Sequence, residues 1–374
     1  MEFKVQVLGV EEQSRMYFWD YEEGPLAQGQ CRVRTLFSGF SAGTELTFWK
    51  KTNPFFASTY EGQTGVFHHD KPATQYPIPF LGYMESAQVI ESRNPELSEG
   101  QVLAMSYGHR SGYTAPHDDF WAVLPPEIDP ILGIYPAQMG PISINGLLHA
   151  AWEFGPLDAN PNSTPRAEVE LGDGVRGRHV LITGAGVIGL MTGLAAQLHG
   201  AQAVAIYDVT PERLQAARAL GLQAIDGNEV EAWQWCKENW VHGPDDRGAD
   251  MVFQCRGSDT ALPQALRALR HNGAVIDMAF YAGGQPNLML GEEFHHNGLS
   301  IRCAQVYHAP RALEAQWTRA RMAQETIELL KARGADIARH IITDRVPISE
   351  APGFVEELAT RRRHSLQAVF EYPA

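Results

Sequence analysis

The feature that most constrains this chain is a glycine-rich turn between an apolar run and a helix-forming run. Residues 179–183 are mostly apolar and β-branched, which suits a buried parallel strand. Three glycines at G-x-G-x-x-G spacing come next: Gly184, Gly186 and Gly189. Over 187–199 leucines recur at helical spacing, and a second β-branched run, 203–207, ends on Asp208. This stretch predicts a strand, a tight turn, a helix and a second strand.

Each part of this unit has a physical role in a dinucleotide site. Gly184 permits the tight turn, Gly186 lets the backbone approach a pyrophosphate, and Gly189 lets the helix pack closely on the strand. Val187 and Ile188 begin the helix, whose first N–H groups and partial positive charge favour phosphate binding. Because all these parts fall where that chemistry needs them, we predict a dinucleotide cofactor.

The residues after this unit predict which dinucleotide binds and what surrounds it. Asp208 can accept hydrogen bonds from ribose hydroxyls and would repel a 2′-phosphate, so NAD(H) is favoured over NADP(H). Arg213 is expected either to cover the adenine face or to be an exposed helix arginine. Cys255 and Gly257 follow a predicted strand at the carboxyl edge of the sheet, where ligands of open α/β sheets lie.

Length and composition restrict the class of protein. A chain of 374 residues predicts two domains, and strands alternating with helices after Asp208 predict a doubly wound parallel sheet. The net charge of −14 argues against nucleic-acid and anionic-membrane partners, and no stretch reads as a signal core or a bilayer span. Four scattered cysteines predict reduced thiols in a cytoplasmic protein.

The order of these parts resembles the medium-chain dehydrogenase/reductase superfamily. The matching stretches are SGFSAGTEL at 38–46, LGYMESAQV at 81–89, the glycine turn, MVFQCRGS at 251–258 and IITDRVPISEAPGFVEEL at 341–358. The resemblance implies an α/β protein with a GroES-like, β-rich catalytic domain over 1–150 and a Rossmann NAD-binding domain over 151–308. It also implies a C-terminal return to the catalytic domain over 309–374. Zinc-less members near the bacteriochlorophyllide and the sugar or polyol dehydrogenases are the most similar subgroup.

The residues at the zinc positions of the family differ in this chain. Where zinc-dependent members have a cysteine and a histidine, the chain has Ser41 and Tyr83, and the third position aligns best with Pro141. A catalytic zinc needs about three protein ligands. The family's four-cysteine structural lobe is also missing, since no cysteine lies between residues 31 and 236. The resemblance therefore predicts a member without zinc.

Without a metal, side chains must stabilise the substrate oxygen and move its proton. The Tyr83 hydroxyl is a candidate donor, and the alternative is a tyrosine that fills the vacated metal pocket. Thr44 matches the family hydroxyl that bonds the substrate oxygen, although it also suits a plain turn. His109 is a candidate base because it can titrate near neutral pH, but a lone loop histidine is more often structural or solvated.

Three further expectations concern the surroundings of the site. The segment 155–177 is expected to be an exposed connection. The resemblance places residues 280–284 near the nicotinamide. It also aligns Arg256 with a position at which members of the superfamily usually have a small residue with a hydroxyl group. That arginine either adds a cation for an acidic substrate or is a surface charge. The family also pairs nucleotide domains through the last sheet strand, here near 300–305, so a homodimer is expected.

These observations predict a zinc-independent oxidoreductase that transfers a hydride between NAD(H) and a small alcohol or ketone metabolite. The substrate would be a sugar, a polyol or a biosynthetic intermediate. One alternative is a zinc-less reductase of conjugated C=C bonds in enones or quinones, against which Asp208 counts because those members commonly use NADPH. The other is an NAD(H)-binding sensor or scaffold that has lost its chemistry.

Overall fold

The computed structural model describes residues 3–155, 169–281 and 287–373. The chain divides into two compact units, the first formed by Met1–Gln138 with Ile342–Ala374 and the second by Met139–Ile341. Most of the expected connection (156–168) and part of the expected nicotinamide loop (282–284) lie outside the described residues.

Within the described ranges, the strands in chain order are β1 (Phe3–Glu12), β2 (Arg15–Glu23), β3 (Cys31–Phe40), β4 (Thr59–Glu61), β5 (Val66–His68), β6 (Glu85–Ser92), β7 (Val102–Met105), β8 (Gly112–Ala115), β9 (Ala122–Val123), β10 (His179–Thr183), β11 (Ala203–Asp208), β12 (Gln223–Asp226), β13 (Val241–Gly243), β14 (Asp246–Arg247), β15 (Ala249–Gln254), β16 (Leu269–Asp277), β17 (Ser300–Cys303), β18 (Ile342–Pro347) and β19 (Gln367–Glu371). The α-helices are α1 (Ala42–Trp49), α2 (Gly140–Phe154), α3 (Val187–Leu198), α4 (Pro211–Ala219), α5 (Ala232–Asn239), α6 (Ala261–Ala268), α7 (Glu293–His296), α8 (Arg319–His340) and α9 (Ala351–Ala359).

The first unit is built on a mixed sheet in the order β18-β19-β3-β6-β7-β9, with β8 also paired to β3. The chain's last strand, β19, joins this sheet antiparallel to β3, so the C-terminal segment returns to the first unit. A hairpin of β1 and β2 contributes Leu8, Val10 and Met16 to a core shared with α9 and β19. The β-rich character expected for the N-terminal part is therefore observed.

The second unit contains a six-stranded sheet in the order β12-β11-β10-β15-β16-β17, and every pair in it is parallel. When the six strands are numbered 1 to 6 by their order along the chain, their order across the sheet is 3-2-1-4-5-6. This is the doubly wound arrangement, in which ligands bind beyond the carboxyl ends of the strands. Leu181, Val252 and Val275 from adjacent strands are fully buried in its core. The predicted α/β class with a parallel Rossmann sheet is confirmed.

Both ends of the second unit differ from the expected boundaries at 150 and 308. Helices α2 and α8 pack on each other and on α3, so they belong with the parallel sheet. The Thr192 hydroxyl of α3 donates to the Ser143 hydroxyl of α2 at 3.0 Å. The two helices follow the sheet because their apolar faces, with Leu147 and Leu330 among them, are buried there.

Candidate dinucleotide and active-site residues

Each of the three glycines in the glycine turn (residues 184–189) is suited to its position for a different physical reason. Gly184 has a φ of +97°, which other residues rarely adopt. A Cβ on Gly189 would overlap the carbonyl oxygen of Gly184, so only glycine allows this close approach. A Cβ on Gly186 would meet no atom within 4 Å, so space is open beside its backbone. These are the three properties that a pyrophosphate-binding turn needs.

The same turn presents free backbone donors. Helix α3 begins at Val187, and its N-cap Gly186 makes no side-chain capping hydrogen bond. The first helical N–H groups have no partner within their own helix. Gly186, Val187 and Ile188 are half-buried, whereas Ala185 and Gly189 on either side are buried. The accessible part of the turn is therefore the part whose N–H groups can bind a phosphate.

Asp208 lies at the carboxyl end of β11 and is tied to the glycine turn. Its Oδ2 accepts a hydrogen bond from Ala185 N at 2.8 Å, and its Oδ1 accepts from Val209 N at 2.8 Å and Thr210 N at 2.9 Å. Burial would raise the pKa of Asp208, but Ala185 N–H, the Arg213 guanidinium and Thr210 outweigh it and lower that pKa. Asp208 is therefore ionised and fixed in orientation at neutral pH.

Arg213, Cys255 and Gly257 also lie on the second unit at this edge of the sheet. Arg213 Nη1 is 3.7 Å from Asp208 Oδ2, so it partly neutralises the acid that is expected to repel a 2′-phosphate. Cys255 donates its backbone N–H to Thr183 O at 2.9 Å, and burial raises the pKa of its thiol. A Cβ on Gly257 would overlap the carbonyl oxygen of Phe280, so glycine is needed for that approach.

A polar network at the carboxyl ends of β10, β15 and β16 was missed by sequence reasoning. The Gln254 side chain accepts from the Thr183 hydroxyl at 2.7 Å and donates to the Tyr281 hydroxyl at 2.9 Å. The Tyr281 hydroxyl donates to Asp277 Oδ2 at 3.1 Å. Thr183, Gln254 and Asp277 each end a strand, and this position at the ligand-binding edge is the signal that could have found them. Arg256, the next residue but one after Gln254, is exposed beside Gly184.

In the first unit, Ser41, Thr44 and Tyr83 form a hydroxyl cluster. Tyr83 Oη is 2.6 Å from Ser41 Oγ and 3.3 Å from Thr44 Oγ1. The antiparallel pairing of β3 with β6 sets Ser38 opposite Glu85, so the residues just after β3 meet those just before β6. Tyr83 and Thr44 are half-buried, and Ser41 is buried. The structure thus brings two of the predicted catalytic residues together.

His109, the third predicted catalytic residue, is not part of the accessible cluster. It is 1% exposed, and both its ring nitrogens are hydrogen-bonded: Nε2 to Glu45 Oε2 at 2.8 Å and Nδ1 to Ser38 Oγ at 2.7 Å. Burial lowers the pKa of His109, but the charges of Glu45 and Glu85 and the Glu45 hydrogen bond raise it by more. This geometry suits a buried imidazolium rather than a base that contacts a substrate.

Glu85 is a second buried acid beside His109. Its oxygens accept from Met84 N at 3.1 Å and Tyr107 N at 2.7 Å. Burial raises the pKa of Glu85 to about 7, against the opposing effects of the His109 charge and the backbone N–H groups. Glu85 therefore changes its charge near neutral pH, inside the same unit as the hydroxyl cluster.

The hydroxyl cluster does not fit a catalytic zinc. Protein zinc sites use cysteine sulfur, histidine nitrogen or carboxylate oxygen. Ser41 and Tyr83 instead offer hydroxyls that hydrogen-bond each other, and Pro141, in the first turn of α2, has no donor in its side chain. The residues at these positions have the chemistry of a hydrogen-bond network and not of a zinc ligand set.

Elsewhere in the described chain, one group of three potential metal ligands lies close together: His179, His242 and Asp250. Arg270 Nη1 donates to His242 Nδ1 and to Asp250 Oδ1, both at 2.9 Å. His242 Nε2 also bonds Gly248 O at 2.9 Å. A guanidinium cation already pairs with these groups, so they do not form a vacant zinc site. His179 is the first residue of β10, at the end away from the glycine turn.

Comparison with known proteins gives a family match on part of the chain. The zinc-binding dehydrogenase family matches residues 187–320. This segment lies in the second unit, whereas Ser41 and Tyr83 lie in the first. The match therefore covers part of the second unit and includes neither Ser41 nor Tyr83.

Two curated relatives are dehydrogenases. The chain is 30% identical over 179 residues to L-threonine 3-dehydrogenase of Symbiobacterium thermophilum, covering 48% of this chain and 47% of that protein. It is 23% identical over 339 residues to D-guloside 3-dehydrogenase of Shigella flexneri, covering 83% and 84%. The chain spans about half the length of the first curated relatives it matches.

Solved structures share the fold over the whole chain. An alcohol dehydrogenase from Thermotoga maritima has a TM-score of 0.73 and 16% identity, covering 99% of this chain and 100% of that one. A putative zinc-binding dehydrogenase from Sinorhizobium meliloti, bound to NADP, has a TM-score of 0.71 and 17% identity, covering 99% of both chains. In the part of this chain that the structure describes, helices of the length and apolarity needed to cross a membrane are absent.

Proposed function

We propose that this chain, for which the matches support membership of the zinc-binding, medium-chain dehydrogenase superfamily, is an oxidoreductase that works without catalytic zinc. It transfers a hydride between NAD(H) and a small alcohol or ketone metabolite, such as a sugar or polyol. The observation that carries this proposal is the hydroxyl cluster, in which Tyr83, Ser41 and Thr44 stand in place of a ligand set.

The second unit supplies the proposed cofactor site. The N–H groups at the start of α3 bind the pyrophosphate, and Gly186 gives the backbone room to approach it. Asp208, held in orientation by Ala185 N–H, accepts hydrogen bonds from the adenosine ribose. When bound, the nicotinamide supplies the hydride chemistry. The positive charge of Arg213 partly offsets the repulsion between Asp208 and a 2′-phosphate, so the preference for NAD(H) over NADP(H) is expected to be moderate.

The first unit supplies the proposed proton chemistry. In the reduction of a ketone, the Tyr83 hydroxyl donates a hydrogen bond to the substrate oxygen and then its proton. In the structure Tyr83 Oη donates to Ser41 Oγ at 2.6 Å, so the same hydrogen turns from Ser41 to the substrate oxygen when the substrate binds, and water returns a proton to the phenolate after the transfer. Thr44 Oγ1, at 3.3 Å, completes the set that holds the phenol. Oxidation of an alcohol runs through the same groups in reverse.

Assembly and location are part of the same proposal. β17 is an edge strand of the parallel sheet, and an unpaired edge can pair with a second copy of the chain. We therefore expect a homodimer, which light scattering on the purified protein would measure. The four free thiols are consistent with a cytoplasmic location.

The proposal is tested by NADH titration followed by turnover assays. The purified protein is expected to bind NADH and to turn over at least one substrate in a panel of sugar alcohols, ketoses and simple alcohols. Reduction of enones or quinones alone would favour a C=C reductase. Tight NADH binding with no turnover of any panel member would favour a sensor or scaffold.

Zinc content gives a separate test of the metal-free chemistry. Elemental analysis is expected to find well under one zinc per chain, because Ser41 and Tyr83 are not zinc ligands. Dialysis against a chelator should leave turnover unchanged. One zinc per chain, whose removal abolishes turnover, would contradict this part of the proposal.

A further inference from the structure

Behind the hydroxyl cluster, the first unit buries a pair of opposite charges that the proposed chemistry does not use directly. Glu45 and His109 are each 1% exposed, and Nε2 of the histidine bonds Oε2 of the acid at 2.8 Å. Removing two charges from water is costly, and such a pair is often no more stabilising than apolar residues of the same volume. The pair therefore calls for a role other than stability alone.

The acid of this pair is bonded to the backbone of the hydroxyl cluster. Glu45 Oε1 accepts a hydrogen bond from Ser41 N at 2.7 Å, while its other oxygen bonds His109. Ser41 is the residue whose hydroxyl lies 2.6 Å from Tyr83 Oη. One carboxylate thus connects the histidine to the partner of the tyrosine.

The histidine of the pair lies against the backbone that carries Tyr83. A Cβ added to Gly82 would lie 2.9 Å from His109 Nε2, so the ring packs directly on the residue before the tyrosine. Gly82 has a φ of +94°, and His109 N donates to Leu81 O at 2.8 Å. The position of the tyrosine therefore depends on the position of this ring.

Groups from several elements hold the ring on its other sides. Ser38 Oγ, on β3, bonds His109 Nδ1 at 2.7 Å and lies 3.3 Å from the Tyr372 hydroxyl. The ring of Phe370, on β19, lies edge-on at 5.1 Å, and Phe40 stacks at 6.3 Å. Glu85, on β6, adds a second nearby negative charge when it is ionised. With both ring nitrogens bonded, His109 has one fixed orientation.

We infer that Glu45 and His109 are positioning residues for the reaction: the pair fixes Ser41 through its backbone N–H and Tyr83 through Gly82, so that the two hydroxyls keep hydrogen-bond contact. This inference rests on the proposed function, because it assigns the pair to the donor that acts on the substrate oxygen. It gives His109 a role through Tyr83 and not as a group that contacts substrate.

A double-mutant cycle tests the inference. His109→Gln is expected to lower kcat at least tenfold while the Kd for NADH stays within twofold of wild type, since the cofactor residues lie in the other unit. In a Tyr83→Phe background the same change should lower kcat by less than twofold, because the group through which it acts is gone. If the double variant instead lost kcat by the product of the two single-variant losses, the residues would act independently and the inference would be overturned.

His149→Gln is the matched control. His149 is also buried with both ring nitrogens bonded, to His308 O at 2.8 Å and to Arg302 Nε at 2.9 Å, but it lies on α2 in the second unit. This variant is expected to keep kcat within twofold of wild type. An equal loss of kcat in His149→Gln would show a general packing effect and would overturn the assignment.

Crystal structures of His109→Gln and the isosteric Glu45→Gln provide a readout that needs no turnover. The separation of Tyr83 Oη from Ser41 Oγ, 2.6 Å in wild type, is expected to exceed 3.5 Å in at least one variant. An unchanged separation in both variants would overturn the inference. If the wild-type protein turned over no substrate, the proposed function would fail, whereas these structures would still decide whether the pair positions the hydroxyls.

Discussion

The glycine turn and the hydroxyl cluster differ in how their parts are distributed along the chain. The turn, its helix and Asp208 all lie within one continuous stretch, and Asp208 bonds back to Ala185 at 2.8 Å. The hydroxyl cluster comes from separate segments that meet because β3 and β6 are neighbours, and His109 of the supporting pair lies between β7 and β8, which pair with β6 and β3. A local motif can be recognised from its order, whereas a cluster of this kind depends on the pairing of distant strands.

The largest expected effect is at the glycine turn. Gly189→Ala should destabilise the protein by about 3 kcal/mol or more and abolish measurable NADH binding, because its Cβ would overlap Gly184 O. Gly186→Ala is the matched control: its Cβ meets open space, so stability should change little while NADH affinity weakens. Calorimetry and NADH titration would measure both. Equal stability of the two variants would remove the distinction between the glycines.

The next effect concerns the hydroxyl cluster. Tyr83→Phe should lower kcat by about 10²–10³-fold, the usual cost of removing one donor to a developing oxyanion, and leave the Kd for NADH unchanged. Steady-state kinetics with the best substrate of the panel would measure it. The comparison of the two regions predicts that kcat and cofactor affinity respond to separate sets of residues. Full activity in Tyr83→Phe would make the tyrosine a pocket filler.

Glu85 gives a prediction about pH. Its pKa is raised to about 7 in the folded protein, so the folded state holds a proton that the unfolded state releases near pH 4.5. Stability from this group is therefore lost as the pH rises from about 4.5 to 7, by about 3 kcal/mol. Relative to wild type, Glu85→Gln should gain that amount between pH 4 and 8.

Chemical denaturation at several pH values would measure the Glu85 effect. Glu96→Gln, at an exposed carboxylate of the same unit, is the control and should show no such gain. Parallel stability curves for wild type and Glu85→Gln would contradict the raised pKa of the buried acid.

The smallest expected effect is on cofactor preference. Asp208→Ala should reduce the ratio of kcat/KM for NADH to that for NADPH by about tenfold, since the negative charge opposing a 2′-phosphate is lost. The effect is moderate because Arg213 already lies 3.7 Å from the acid. Arg213→Ala should move the ratio the other way. An unchanged ratio in both variants would remove the charge explanation of specificity.

Much of the second unit could be predicted from the sequence because its signals are local. The predicted strand 179–183 is β10, and the predicted helix over 187–199 ends one residue earlier, at Leu198. The sequence does not predict strand β12, because its four residues, QAID, show neither a long apolar run nor an alternation of apolar and polar residues. The expected boundaries at 150 and 308 place α8 and most of α2 in the catalytic domain, whereas both helices belong to the second unit. The sequence of an apolar helix face shows that the helix packs on something, but not which sheet it packs on.

The sequence by itself determined the glycine turn, the acid at the end of β11, and serine and tyrosine at positions 41 and 83, which the resemblance aligns with zinc-ligand positions. These follow from residue identity and short-range spacing, which local geometry translates directly into structure. Only the tertiary structure decided that His109 is bonded to Glu45 and Ser38, and that Tyr83 meets Ser41. The hydrogen-bond partner of a side chain and the shift of its pKa depend on burial and on contacts between distant segments. The residue order within a single segment predicts neither these contacts nor the burial.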